Sequence, residues 1–221
     1  MKKILVYTYI ISLVACTQQT EPDAVDLGYD YFPSQIGATW IYQVDSLVYD
    51  DNSGFTTIDT FIYQYKEQIT GTYINGSGKT EQLVNRYVKK VDTLNWEQLN
   101  TYTLLKTDLN AQKTIENIRF VKLVFPLTLN KKWDGNAYNS LGNEEYVVSA
   151  FNTSQTIGSS IYDNTLTVIQ KNENNAVEEI KRAEIYARNI GLVYLISDSI
   201  NTQVGGSRGF RYRLTLTSYT P

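Results

Sequence analysis

The chain has 221 residues, with twenty Lys and Arg against twenty-three Asp and Glu, no histidine, one cysteine and eighteen tyrosines. Without histidine, the commonest general base and the commonest zinc ligand are both missing. A net charge of −3 leaves no basic face to grip nucleic acid, and the nearest cluster, Arg208, Arg211 and Arg213, alternates with aromatics in one expected strand.

Lys2 and Lys3 are followed by twelve mostly apolar residues, Ile4 to Ala15. This matches the charged start and short apolar run of a secretory signal, and it is too short for a stable membrane span. The run ends in Leu13, Val14, Ala15 and Cys16, which resembles the lipobox of bacterial lipoproteins. The resemblance implies that residues 1–15 are a signal peptide cut before Cys16, whose thiol carries a diacylglycerol and whose amine is acylated. Lipid would then consume the only thiol, leaving none for a disulfide, a metal or catalysis. Two or more acyl chains hold a protein on a membrane surface without spanning it. Thr17 stands where an Asp retains enterobacterial lipoproteins in the inner membrane, so the analogy points to the outer membrane, with the periplasmic or surface face left open. Residues 16–26 are polar, contain Pro22 and read as a lipidated tether. Residues 27–221 are enough for one core and contain no second linker, so a single domain is expected. Without Lys2 and Lys3 the mature chain has a net charge near −5.

Downstream, short β-rich runs alternate with turn residues. Thr39 to Tyr49 puts Trp40, Tyr42 and Val44 on one face, and Phe55 to Ile69 alternates Phe61, Tyr63 and Tyr65 with Thr60, Ile62 and Gln64, so the two read as a hairpin. Strands follow at Glu81 to Val91, Trp96 to Thr107, Thr114 to Phe125, Tyr146 to Phe151, Leu166 to Lys171, Leu192 to Ser197 and Phe210 to Tyr219. About ten such runs separated by turns predict an all-β fold, an antiparallel β-sandwich or a curled half-barrel. Ala176 to Arg188 carries charged residues of good helical propensity between Asn174-Asn175 and Gly191, which predicts one short helix near 176–188, a strand from Ile180 to Tyr186 being the alternative.

One pattern occurs twice. Phe32-Pro33 and Phe125-Pro126 are each followed by a tryptophan, Trp40 and Trp133, seven residues after the proline. The turn position between them is Gly37 in one copy and Asn130 in the other, the residues that best tolerate a left-handed backbone. Both copies predict a structural corner whose tryptophan pins the outgoing strand to the core. These corners, with Tyr186-Ala187-Arg188-Asn189-Ile190-Gly191-Leu192-Val193 and Gly209-Phe210-Arg211-Tyr212, resemble uncharacterised envelope lipoproteins of Bacteroidota. That resemblance covers nearly all of the mature chain, implies an envelope location and implies no activity.

No catalytic, cofactor or metal site is expected. Gly205 to Gly209 fits the G-x-S-x-G nucleophile elbow, but a serine triad needs the missing histidine. The acid pairs Glu144-Glu145 and Glu178-Glu179 face opposite sides of a strand, and Asp50 to Gly54 reads as a hairpin turn rather than a calcium loop. Three sequences fit the O-glycan acceptor pattern of secreted Bacteroidota proteins, placing candidate attachment at Ser46, Thr93 and Ser199. Eighteen tyrosines suit contact, so the leading expectation is a non-enzymatic binding or structural role towards a glycan, a lipid or an envelope protein. A lipid carrier comparable to the LolA and LolB half-barrels is one alternative, requiring an unfilled inner face. A carboxylate-dependent glycan hydrolase is the other, with Glu67 and Glu81 as adjacent-strand candidates.

Overall fold

The computed structural model describes residues 25–221 apart from 53, 92 and 94, so the signal peptide, Cys16 and most of the 16–26 tether lie outside the described residues. The described chain forms twelve strands: β1 (Thr39–Asp50), β2 (Thr57–Ile74), β3 (Thr80–Lys90), β4 (Glu97–Lys106), β5 (Asn110–Ile115), β6 (Ile118–Val124), β7 (Lys132–Asp134), β8 (Glu145–Ile157), β9 (Ser160–Asn174), β10 (Glu178–Ala187), β11 (Gly191–Gln203) and β12 (Gly206–Thr220). They make one antiparallel sheet in the order β6-β5-β4-β3-β2-β1-β12-β11-β10-β9-β8-β7. The first strand pairs with the last, from Thr39 opposite Thr220 to Tyr49 opposite Gly209, so two six-strand meanders join edge to edge. The fold is therefore all-β and antiparallel, as expected, and of the two expected forms it is the single curled sheet and not the sandwich.

The two free edges, β6 and β7, meet. Val121 N–H donates to Gly135 O at 2.8 Å, Trp133 Nε1 donates to Val121 O at 2.9 Å, and Asn139 Nδ2 donates to Arg119 O at 2.9 Å. These bonds satisfy edge groups that would otherwise face solvent as a template for another strand, and they nearly close the sheet into a barrel. Gly135 fits the seam because Tyr146 lies against it, where any Cβ would collide with the ring.

Period-two alternation supplies the interior. On β1, Trp40, Tyr42 and Val44 point in and are almost fully buried, and the paired register carries that face through Glu67, Tyr65 and Tyr63 on β2. The core gathers Ile69, Val84, Leu123, Val148, Leu166, Val168 and Leu214 from around the ring. A 3-10 turn at Tyr29–Tyr31 packs below it, and Lys106 Nζ donates to Phe32 O at 2.9 Å.

Two sequence expectations need correction. The helix near 176–188 is strand β10, in register with β9 and β11 on both sides. In that register Glu184 and Tyr186 are buried, and burial with full backbone pairing outweighs the modest helical propensity of the segment. The expected strand from Thr114 to Phe125 is two strands, β5 and β6, reversing at Glu116 and Asn117 with φ of 50° and 61°. Positive φ at both central residues gives the twist of a two-residue hairpin.

The repeated corners occupy matching stations. Gly37 N–H donates to Ile69 O and Ile69 N–H returns to Ala38 O; Asn130 N–H donates to Val148 O and Val148 N–H returns to Lys131 O. Gly37 has φ 97° and Asn130 φ 64°, so both turns use the left-handed conformation. The first corner opens β1 and the second opens β7, each at the head of a six-strand half.

Candidate functional site

The barrel is not filled. A cavity of about 370 Å³ lies inside it, with lining side chains from every strand except β7. That volume is at the lower end of the ~300–1,000 Å³ usual for small-molecule sites. Its wall is mixed: Trp40, Leu104, Phe120, Leu192 and Leu214 supply apolar surface, and Glu67, Arg86, Lys113, Lys122, Arg182 and Glu184 bring charge.

Two buried carboxylates anchor the polar part of the wall. Glu67 on β2 accepts from Arg86 Nε at 2.8 Å and from its NH2 nitrogen at 2.5 Å through one oxygen, and from Tyr102 Oη at 2.7 Å through the other. Glu184 on β10 accepts from Lys122 Nζ at 2.6 Å and from Tyr186 Oη at 2.5 Å. Burial pushes both carboxyls towards protonation. The Arg86 and Lys113 charges outweigh it at Glu67, and the Lys122 charge and bond outweigh it at Glu184, so both pKa values end below the ordinary one. Burial beside these anions drives the Tyr102 and Tyr186 hydroxyls well above their usual range, so they remain donors.

With Arg86 matched to Glu67 and Lys122 to Glu184, one cation of the wall is left over. Lys113 on β5 has no carboxylate within 4 Å among the described residues, and its ammonium instead lies over the Tyr102 ring, 4.0 Å from the centroid. Burial, reinforced by Arg86 and Lys122 and only partly offset by Glu67 and Glu184, lowers its pKa to about 8. Two further donors of the lining are buried without a partner, Gln170 Nε2 and Arg182 Nε. Arg182 spends its terminal nitrogen on Glu144, at 2.5 Å.

Glu67 and Glu81, the carboxylates singled out from sequence, do not converge on this cavity. Glu81 is fully buried away from its lining and accepts from Tyr73, Asn75, Thr103 and Arg119. Glu144 pairs with Arg182, Glu145 with Lys132 and Glu179 with Arg211, which places these acids in ion pairs between strands. Asp50 accepts from Asn52 in the β1–β2 turn, and Asp51 pairs with Arg208 at 2.8 Å. Ser207 of the G-x-S-x-G stretch sits at the β11–β12 turn, bonded to Thr202 at 3.0 Å. Among the described residues no group of three or more Cys, His, Asp or Glu could hold a metal ion. Ser46 lies within β1, Ser199 within β11, and Thr93 in the turn after β3, where its hydroxyl bonds Lys90 O; all three are half-buried. Arg86, Lys113, Lys122 and Glu184 escaped sequence reasoning. Their signal was present as charge at inward positions, such as Arg86 between Val84 and Val88.

No protein-family model matches the chain, and no curated protein matches it. Among solved structures it is similar to a candidate lipoprotein from Parabacteroides distasonis ATCC 8503, with 9% identity, a TM-score of 0.36, and coverage of 86% of this chain and 98% of the other. That likeness is too loose to transfer fold or function.

Proposed function

We propose that this protein is a lipid-anchored lipoprotein of the outer membrane whose barrel holds a small molecule, a role in binding instead of turnover. The observation that carries the binding reading is the unfilled volume inside the sheet, walled by apolar and unsatisfied polar groups together. A core designed only for stability would close around such a space, because each void forfeits packing and each unpaired buried donor costs free energy. The anchor rests on the lipobox resemblance ending at Cys16.

An interior ligand is favoured over a glycan laid across the outside. Trp40 is buried and Trp96 and Trp133 are half-buried, so no indole stands fully exposed to stack on a sugar ring. Binding is favoured over hydrolysis because Glu67 and Glu184 each have both oxygens engaged and pKa values held down. A glycosidase acid needs the opposite shift, with its proton retained near neutrality.

Two experiments test the two halves. Labelled palmitate supplied to a Gram-negative host should enter the wild-type chain and not Cys16→Ala; equal labelling, or none, removes the anchor. Residues 25–221, which contain all twelve strands, should brighten the neutral apolar dye N-phenyl-1-naphthylamine in a saturable one-site titration. A flat titration would remove the binding reading.

A further inference from the structure

Unsatisfied side-chain atoms usually come in both kinds, donors and acceptors. In this cavity the two lining atoms sealed from water without a hydrogen-bond partner, Arg182 Nε and Gln170 Nε2, are both donors, and the Lys113 ammonium of the same lining is held only over the Tyr102 ring, whereas the carboxylate oxygens of Glu67 and Glu184 are all engaged. Ammonium and guanidinium groups can only donate, so a partner for Lys113 or for Arg182 Nε must accept.

Charge points the same way. Glu67 neutralises Arg86, Glu184 neutralises Lys122 and Glu144 neutralises Arg182, which leaves Lys113 as the uncompensated charge of the wall. Lys113 is only partly buried although its strand neighbours Ala111 and Gln112 are sealed, and it belongs to the cavity lining. An ammonium held there without a counter-ion is costly unless an anion arrives to pair with it. The rest of the wall is hydrocarbon and aromatic: Leu104 and Phe120 flank Lys113 on the neighbouring strands, and Leu192 and Leu214 line the same cavity.

Resting on the reading that the barrel is a binding cavity, we infer that its ligand is an organic anion with an apolar body, a medium-chain carboxylate being the simplest case, whose head group pairs with Lys113. Gln170 and Arg182 supply further donors to that head group, and the apolar residues receive the chain. Lys113 is the specificity-determining residue: it distinguishes an anionic head from a neutral or cationic one, while the apolar wall binds the tails of all three.

Calorimetric titration of residues 25–221 with decanoate, decanol and decylammonium tests this. A charge-assisted contact in a buried site corresponds to roughly tenfold to hundredfold in affinity, so decanoate should bind at least tenfold more tightly than decanol, and decylammonium more weakly than either. Lys113→Met should bring decanoate to within about threefold of decanol while decanol binding persists, which shows that the variant is folded and its cavity intact. Lys113→Arg should keep the preference for decanoate. Equal binding of decanoate and decanol by the wild type, or a preference that survives Lys113→Met, overturns the assignment of an anion at Lys113 and leaves the cavity reading standing. Failure of all three probes overturns both.

Discussion

Trp40 and Trp133 perform the same bond in the two halves of the barrel. Each indole N–H leaves its own hairpin and donates to a backbone carbonyl of the other half, Trp40 to Ile190 O in the β10–β11 turn at 2.6 Å and Trp133 to Val121 O on β6 at 2.9 Å. Trp133 thereby helps to close the gap between β6 and β7, the two ends of the sheet order. Trp133→Phe keeps most of the ring and loses the donor, so it should lower unfolding free energy by about 1–2 kcal/mol in urea. Amide exchange should quicken at Val121 while the β1–β12 pairing stays protected. Unchanged exchange at Val121 would mean that the seam does not depend on the indole.

Asn130 holds a left-handed turn with φ 64°. Asn130→Gly should change stability by no more than about 0.5 kcal/mol, because glycine takes that conformation freely, and Asn130→Val should cost about 1–2 kcal/mol or more. The equivalent residue is already glycine in the first corner, Gly37. Equal denaturation midpoints for the two Asn130 variants would contradict the shared turn.

Glu67 and Glu184 contribute to the acid range, with Glu81 acting in the same direction, because their folded pKa values lie below the ordinary 4.5. A depressed carboxyl contributes stability that is complete above the unfolded pKa and is lost as pH falls through the folded one. Stability should therefore decline below about pH 4.5. Glu184→Gln should flatten part of that decline and cost about 2–4 kcal/mol at pH 7, since it leaves Lys122 buried without its anion. Unfolding curves of both proteins from pH 3 to 7 check this.

Lys113 gives the opposite sign. Its folded pKa of about 8 lies below the ordinary 10.5, so between those values the unfolded chain binds more proton and stability rises with pH. Below about pH 8 the penalty is fully present. Lys113→Met should therefore be more stable than wild type at pH 7, by as much as ~3 kcal/mol, and the advantage should shrink by pH 9.5. Glu67, Arg86, Lys122 and Glu184 all face this group, and none is altered by the substitution. A variant that gains stability as it loses anion binding marks a residue kept for function. A less stable Lys113→Met at pH 7 would contradict that.

The strands were legible where β-forming residues alternate across the two faces, as on β1, where Trp40, Tyr42 and Val44 alternate with Thr39, Ile41, Gln43 and Asp45. Strand β10 was harder because its inward residues, Glu184 and Tyr186, are polar or amphipathic, so periodicity alone did not separate it from a helix. The Glu116-Asn117 reversal was hidden for a related reason: a two-residue turn with positive φ is usually announced by glycine, and here it is made without one. The corners were visible as a repeated spacing, but their partners, Ile69 and Val148, lie 32 and 18 residues downstream of Gly37 and Asn130 and could not be paired from sequence. The cavity was less legible still. It depends on which charges the curled sheet turns inward: the β2–β3 register sets Glu67 beside Arg86, whereas Lys122 on β6 and Glu184 on β10 meet only because the sheet curls round on itself.

The most direct measurement is native mass spectrometry of the protein purified from its own host after gentle release of the acyl anchor. The expected result is a population carrying one extra small molecule of a few hundred daltons, ejected in negative mode as an anion with a hydrocarbon body and absent from Lys113→Met prepared in parallel. A chain of bare mass in both preparations, or a bound molecule that is neutral and equally abundant in both, would contradict a barrel built to hold an organic anion.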